Sequence, residues 1–225
     1  MEKIKKISDF NLNSKKVLVR LDLNVPFRNG KISDPTRIIS SLPTLKEILK
    51  KNGTPIIISH FGRPKGKKDN KFSLKKILNS LSKHFKKKVI FCNDCIGLEV
   101  KKVLKNIKSG EIVLLENLRF HTGETSNNYN FAKNLTKYCD IYINDAFSAS
   151  HRKHASIDKV AKLLPSGMGK NMEKEIINLN KFLRKPKSPI TAIIGGAKMG
   201  NKINLINNLI KKCKFLIVGG GVANT

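Results

Sequence analysis

Residues 56–68 read IIISHFGRPKGKK. Three consecutive isoleucines suit a strand buried on both faces, yet the run breaks at once into His60, Gly62, Arg63, Pro64 and lysines. The same switch from apolar run to polar loop recurs along the chain. KVLVRLDL (16–23), PIIIS (55–59), VIF (89–91), EIVLLE (111–116), DIYIN (140–144), ITAIIG (190–195) and KFLIVG (214–219) are short, apolar and often β-branched. Amphipathic helical patterns lie between them. Leu74, Ile77, Leu78, Leu81 and Phe85 share one face behind an N-cap at Ser73. LPTLKEILKKNG and LEVKKVLKNIKSG carry similar faces, with Gly53 and Gly110 as expected C′ residues. Alternating strands and helices predict an α/β fold, a doubly wound, Rossmann-like parallel sheet with helices on both faces.

The pattern NMEKEIINLNKFLRKP (171–186) follows LLPSGMG, is stopped by Pro186 and Pro189, and predicts a helix between two domains. The expected organisation is an N-terminal domain over 1–168, an interdomain helix over 169–186 and an incomplete second Rossmann-like domain over 187–225. Two strands and one helix cannot bury a parallel sheet on both faces, so this second domain reads as cut off. The whole chain of 225 residues is long enough to bury roughly 70% of the surface its unfolded form exposes. MEKIKKISDFNLNSKK at the N-terminus holds no apolar run, and no stretch approaches the length of a bilayer span. A soluble cytoplasmic protein with no membrane partner is expected. Cys92, Cys95, Cys139 and Cys213 read as reduced thiols, and Cys92 and Cys95 lack a second ligand pair at zinc spacing.

The net charge of +29 opens a rival reading as a basic nucleic-acid-binding protein. The charge is carried by 38 Lys against 7 Arg, spread over nearly every segment, without tryptophan or an aromatic platform for stacking bases. No specific nucleic-acid site is therefore expected. Lys, Asn and Ile are all abundant, as an AT-rich coding bias would make them. Where lysine is used so freely, arginine marks positions that need a planar, permanently charged fork.

Ligands of open parallel sheets bind at the carboxyl ends of the strands. The loop after the first strand offers Asp22 and Asn24, and Arg37 follows it. SHFGRPKG supplies His60 and Arg63, ENLRFHTGE supplies Arg119 and His121, and NDAFSASHRKHAS supplies Asp145, His151, Arg152 and His154. Four of the seven arginines thus fall in loops expected to converge on one face. They predict a receptor for a small, heavily anionic molecule, with Asp22 and Asn24 placed to take a hydroxyl. Arg20, inside a strand, is expected as a structural ion-pair partner, and Arg28 and Arg184 as ordinary surface. Near the end, AIIGGAKMGNKI reads as strand, glycine turn and helix start, a local plan that presents backbone N–H groups to phosphate. Lys198 and Lys202 stand four residues apart and could grip two phosphates of one nucleotide. LIVGGGVANT supplies a second glycine turn.

These stretches, VRLDLNVP, SDPTRI, SHFGRPKG, DCIG, LLENLRFHTGE, NDAFSASHRKHAS, MEKEI, GGAKMGNKI and VGGGVANT, occur in one order over essentially the whole chain, which resembles phosphoglycerate kinase. The resemblance implies two Rossmann-like domains joined by a helix, a hinge-bending monomer, and reversible phosphoryl transfer from 1,3-bisphosphoglycerate to ADP, giving 3-phosphoglycerate and ATP. It implies 3-phosphoglycerate binding by Asp22, Asn24, Arg37, His60, Arg63, Arg119 and Arg152, and nucleotide binding by Gly196, Lys198 and Lys202. It gives catalytic parts to Arg37 and Lys198, and Mg2+ as the nucleotide complex. Gly200 and Asn201 depart from the family, which usually has a small hydroxyl residue and often an acid there. The family also continues beyond GGGVANT with its adenine pocket, the aspartate for the magnesium nucleotide, and a segment returning to the first domain. The expectation for these 225 residues is phosphoglycerate binding without turnover, with a non-catalytic anion-binding fragment as the third reading.

Overall fold

A computed structural model describes residues 4–184, 188–196 and 203–224. In chain order the elements of the first unit, Met1–Glu175, begin with β1 (Lys16–Arg20), the hairpin strands β2 (Phe27–Arg28) and β3 (Lys31–Ile32), α1 (Thr36–Lys50) and β4 (Thr54–Ile58). There follow α2 (Leu78–Phe85), β5 (Val89–Cys92), α3 (Gly97–Asn106), β6 (Ile112–Leu115), α4 (Thr122–Thr125) and α5 (Tyr129–Thr136). β7 (Ile141–Asn144), α6 (Lys159–Leu163) and β8 (Ser166–Met168) complete its regular structure, and α7 (Lys170–Arg184) runs on past Glu175 into the second unit. Six strands form one sheet in the order β5-β6-β4-β1-β7-β8, with every pair parallel.

The isoleucine run works as a two-faced strand. Ile57 joins Val17, Val19, Ile112 and Leu114 in one core, covered by Ile38, Leu45 and Ile48 of α1 and Leu81 and Phe85 of α2. Ile56 and Ile58 join Leu18, Val113 and Leu115 in the other, covered by Val100 and Leu104 of α3, Leu135 of α5 and Val160 of α6. Alternate residues of one strand thus feed opposite cores, which is why continuous rather than alternating hydrophobicity was needed. Each fully buried aliphatic side chain contributes about 1.5–3 kcal/mol to this arrangement.

Two expected helix stops differ in detail. After α1 the left-handed residue is Asn52, with φ of 57°, and not Gly53. Asn52 N–H donates to Leu49 O at 3.0 Å and Gly53 N–H to Ile48 O at 2.9 Å, so Gly53 closes the paired C-terminal motif one residue later. Gly110 is left-handed too, but in a turn beyond α3, whose C-cap is Ile107. Ser73 is an N-cap, as expected: its hydroxyl oxygen accepts from Lys75 N–H, in a 3-10 turn (Leu74–Ile77) that leads into α2.

In the second unit, Ile176–Thr225, β9 (Thr191–Ile194) and β10 (Phe215–Val218) pair in parallel around α8 (Ile203–Ile210). Ile193, Phe215 and Ile217 are exposed there. Among the described residues, no helix is long and apolar enough to cross a membrane.

Ser73 also donates to the buried Glu116 carboxylate at 2.6 Å, which among the described residues otherwise accepts only from the N–H groups of Leu74 and Asn117. Ser73→Ala removes a helix cap and one donor to a buried charge, and should lower the stability of the first unit by about 1–2 kcal/mol. A fall in the urea midpoint at unchanged m-value checks this.

Candidate functional site

All six carboxyl ends of the parallel sheet lie along one edge. From β1 the chain builds outward on one side through β4, while β7 lies against β1 on the other, so the topological switch falls between β1 and β7. The loops after β1, β4, β6 and β7 are therefore neighbours, and their side chains tie them together. Asn24 Oδ1 accepts from Gly62 N–H at 2.9 Å. Ser59 Oγ donates to Leu21 O at 2.8 Å and accepts from Leu23 N–H at 3.0 Å. Asn117, fully buried, donates through Nδ2 to Phe61 O and Phe72 O at 2.7 and 2.8 Å and accepts from the N–H groups of Phe61 and Arg119.

Arg63, Arg119 and Arg152, from three of these loops, line one open cleft of about 560 Å³ together with Lys65, Gly66, Thr122, Thr125 and His154. None of these lining side chains is acidic. Arg119 is only 8% exposed and donates through Nη1 to Gly62 O at 2.7 Å, while its buried Nε has no partner among the described residues. Burial, followed by the positive charges of Arg152 and Arg20, lowers the Arg119 pKa, and Glu124 opposes the fall. Such crowding of like charge is unfavourable until an anion enters it.

Of the other expected residues of the first unit, Asp22 and Asn24 lie in the loop after β1, His60 lies in the loop after β4, and Arg37 lies in the first turn of α1. Arg37 pairs with Asp22, whose Oδ2 also accepts from Ser148 Oγ at 2.5 Å. Burial opposes the Asp22 charge, but the bonds from Ser148, Asn24 N–H and Arg37 outweigh it and hold the carboxyl below its ordinary pKa. Asp22, Arg37 and Ser148 line a cleft of about 340 Å³, and Asn24 and Arg37 line another with Phe61 and Gly62. Arg37 departs from its expectation: it stands in the first turn of α1 and not in a loop, and it does not line the cleft of the other three arginines. In the second unit Gly196 O accepts from Val222 N–H at 3.0 Å, which joins the two glycine turns. Lys198 and Lys202 lie outside the described residues.

Arg20 corrects its expectation. It is 1% exposed and, among the described residues, no carboxylate lies within ion-pair distance of it. Its Nε donates to Ser156 Oγ at 3.1 Å, and that hydroxyl donates to Glu124 Oε1 at 2.7 Å. The serine hydroxyl relays one buried charge to another. Arg20 also donates to Leu21 O and, through Nη2, meets His60 Nδ1 at 2.9 Å. Asn117, Glu124 and Ser156 are the organising residues that sequence alone does not single out. Their only signal is adjacency to the arginine and histidine positions in ENLRFHTGE and SHRKHAS.

Cys92 and Cys95 are buried free thiols, and burial pushes Cys95 well above its ordinary value. Ligand atoms of Asp94, Cys95 and His121 lie within 4.8 Å of one another. Asp94 Oδ1 is already engaged by His121 Nε2 at 2.7 Å and Cys95 N–H at 2.6 Å, a hydrogen-bonded turn in its own right.

A guanidinium only donates, so His60 Nδ1 must accept from Arg20 and the ring proton sits on Nε2. Burial, then the charges of Arg20 and Arg119, lower the His60 pKa to about 2, against the pull of Asp22. ¹⁵N shifts of His60 should report one neutral Nε2–H tautomer from about pH 8 down to about pH 4. The unfolded chain protonates near the ordinary histidine value of about 6.5, so this group withdraws stability as pH falls through that value. A charged imidazole at pH 5 in the ¹⁵N spectrum would refute the assignment.

Comparison with known proteins agrees with this geometry. The family model described as Phosphoglycerate kinase matches residues 7–225. The phosphoglycerate kinase of Ruegeria pomeroyi is 44% identical over 221 residues, covering 98% of this chain and 56% of that protein. That of Methylorubrum extorquens is 48% identical over 214 residues, covering 95% and 54% respectively. Among solved structures, phosphoglycerate kinase from Coxiella burnetii superposes with a TM-score of 0.85 at 39% identity, covering 99% of this chain and 56% of that one. The Pyrococcus horikoshii enzyme gives a TM-score of 0.88 at 31% identity, covering 97% and 56%. The chain therefore spans about half the length of the relatives it matches. A parallel sheet with Arg63, Arg119 and Arg152 gathered at its carboxyl edge, matched by the family model over residues 7–225 and by backbone over 99% of the chain, places this chain in the phosphoglycerate kinase family.

Proposed function

We propose that this chain is the phosphoglycerate-binding part of an enzyme that moves a phosphoryl group reversibly between 1,3-bisphosphoglycerate and ADP, giving 3-phosphoglycerate and ATP. The observation that carries the reading is the cleft of Arg63, Arg119 and Arg152, with the buried Nε of Arg119 unpartnered among the described residues. A phosphate or carboxylate supplies what these guanidinium forks lack. In this reading Asp22 and Asn24 take the substrate hydroxyl, and Arg37 leaves Asp22 for the transferred group. His60, neutral and donating through Nε2, contributes a hydrogen bond and no proton transfer.

Phosphoryl transfer needs positioning and charge neutralisation more than covalent help. The nucleophile in the glycolytic direction is an ADP oxygen that is already ionised, so no general base is required. Arg37 and Lys198 neutralise the equatorial oxygens of the transferred group, while Gly196 and Lys202 hold the nucleotide phosphates. Magnesium enters with the nucleotide, as part of the substrate. The protein works as a cytoplasmic monomer, and the 225 residues alone bind 3-phosphoglycerate without turnover.

Calorimetry on the 225-residue chain should show 3-phosphoglycerate binding in preference to inorganic phosphate. Arg119→Ala should weaken it roughly tenfold to a hundredfold, as expected for a lost charge-assisted hydrogen bond. Equal affinity for the two anions, or no effect of Arg119→Ala, would overturn the site. In a protein extended to the length of its relatives, Lys198→Ala should lower kcat far more than it raises KM for phosphoglycerate, and the opposite ranking would remove Lys198 from the transition state.

A further inference from the structure

The first turn of α7 is capped from outside its own stretch of sequence. Gly169 precedes it and has no side chain to offer. Lys170 N–H donates to Thr44 Oγ1 at 2.8 Å and Met172 N–H to Asp145 Oδ1 at 2.9 Å. The Thr44 hydroxyl donates in turn to Asp145 Oδ2 at 2.7 Å. A helix usually takes its N-cap from the residue just before it. Here the caps come from α1 and from the end of β7, and both side chains are buried. Gly169 makes the room: a Cβ there would lie 2.4 Å from Asp145 Cγ. Lys6 with Glu173 at 2.6 Å and Lys170 with Glu47 at 3.0 Å hold the same turn from other directions.

Asp145 also begins the loop that carries the site. Its neighbours Ser148 and Arg152 respectively bond Asp22 and line the arginine cleft. The cleft of about 340 Å³ is lined by Asp22, Arg37, Ser148, Asp145 and Asn171, so site residues and helix residues share its walls. One carboxylate therefore has the substrate loop on one side and the helix on the other. Burial raises its pKa to about 6, against the bonds from Thr44 and the α7 N–H groups. Its charged form thus depends on keeping those donors.

We propose that Asp145 and Thr44 are a positioning pair that couples occupation of the arginine site to the first turn of α7. An anion that draws Arg37 from Asp22 changes the hold of Asp22 on Ser148, and the 146–152 loop passes the shift through Asp145 to the helix. The coupling rests on the phosphoglycerate reading of the site.

Amide hydrogen exchange on the 225-residue chain, with 3-phosphoglycerate as the probe, tests it. Binding should change exchange at Lys170, Asn171 and Met172 by roughly tenfold in the parent and in Thr44→Ser, and by less than about twofold in Thr44→Val. Affinity in Thr44→Val should stay within about threefold of the parent, since Thr44 does not line the arginine cleft. Without ligand, Thr44→Val should speed exchange at Lys170 by roughly tenfold through loss of its acceptor. Gly169→Ala, which displaces the carboxylate, gives the same readout if Thr44→Val fails to fold. The proposal is overturned if 3-phosphoglycerate perturbs the Arg119 and Arg152 signals and leaves the three amides unchanged, or if Thr44→Val responds as the parent does. If neither arginine responds, the phosphoglycerate reading falls and the coupling with it, while the ligand-free arm still decides whether the pair caps the helix.

Discussion

A permanently charged guanidinium, Arg20, lies at the end of β1 with 1% of its surface exposed, and the candidate site is assembled around it. An uncompensated charge in such a place costs several kcal/mol. The protein meets that cost with directed bonds: Leu21 O in the loop after β1, His60 in the loop after β4, and Ser156 beyond β7, backed by Glu124 from the segment after β6. One side chain thus fixes four strand exits relative to one another. It also sets the proton of His60 and adds to the positive charge that burdens Arg119. Arg20 and the arginines lining the cleft have the same sign and outnumber the one buried carboxylate among them, Glu124, so the site is electrostatically loaded toward an anion.

Much of this was legible in the chain. Continuous Ile, Val and Leu runs gave strands buried on both faces, and reading the exits of those runs brought Arg63, Arg119 and Arg152 to a common wall. What escaped was whatever depends on partners distant in sequence. Asn117 bonds residues about Phe61 and Phe72, and Arg20 reaches Ser156 across 136 positions. Nothing local marks an asparagine or a serine for such work. Arg20 was expected to find a carboxylate directly, and a hydroxyl stands between instead. The hairpin of β2 and β3 and the strand β8 are two or three residues long, too short for a periodicity to declare itself. Asn52 took the left-handed position because an asparagine tolerates it at modest cost, which leaves the expected glycine free to close the turn one step later.

The lysine excess and the arginine cleft answer to different demands. Lysine is a strongly hydrated point charge on a flexible stem and is at home on almost any exposed position. Among the described lysines Lys65 alone joins the cleft wall, beside three planar forks that can meet a phosphate in two-point geometry. The distinction between seven arginines and their far more numerous cationic companions therefore carries more functional information than the net charge does.

The exposed isoleucines and phenylalanine of β9 and β10 have a consequence for handling the protein. Among the described residues β9 and β10 pair only with each other, and exposed apolar strand surface of this kind invites pairing with other copies. Mutual repulsion between molecules bearing +29 keeps them apart in dilute buffer. The reach of that repulsion shrinks from about 10 Å at 0.1 M ionic strength to about 3 Å at 1 M. Colloidal behaviour is thus governed by the electrolyte, and concentrated sulfate, which strengthens apolar association, favours contact through these strands as it screens the charge.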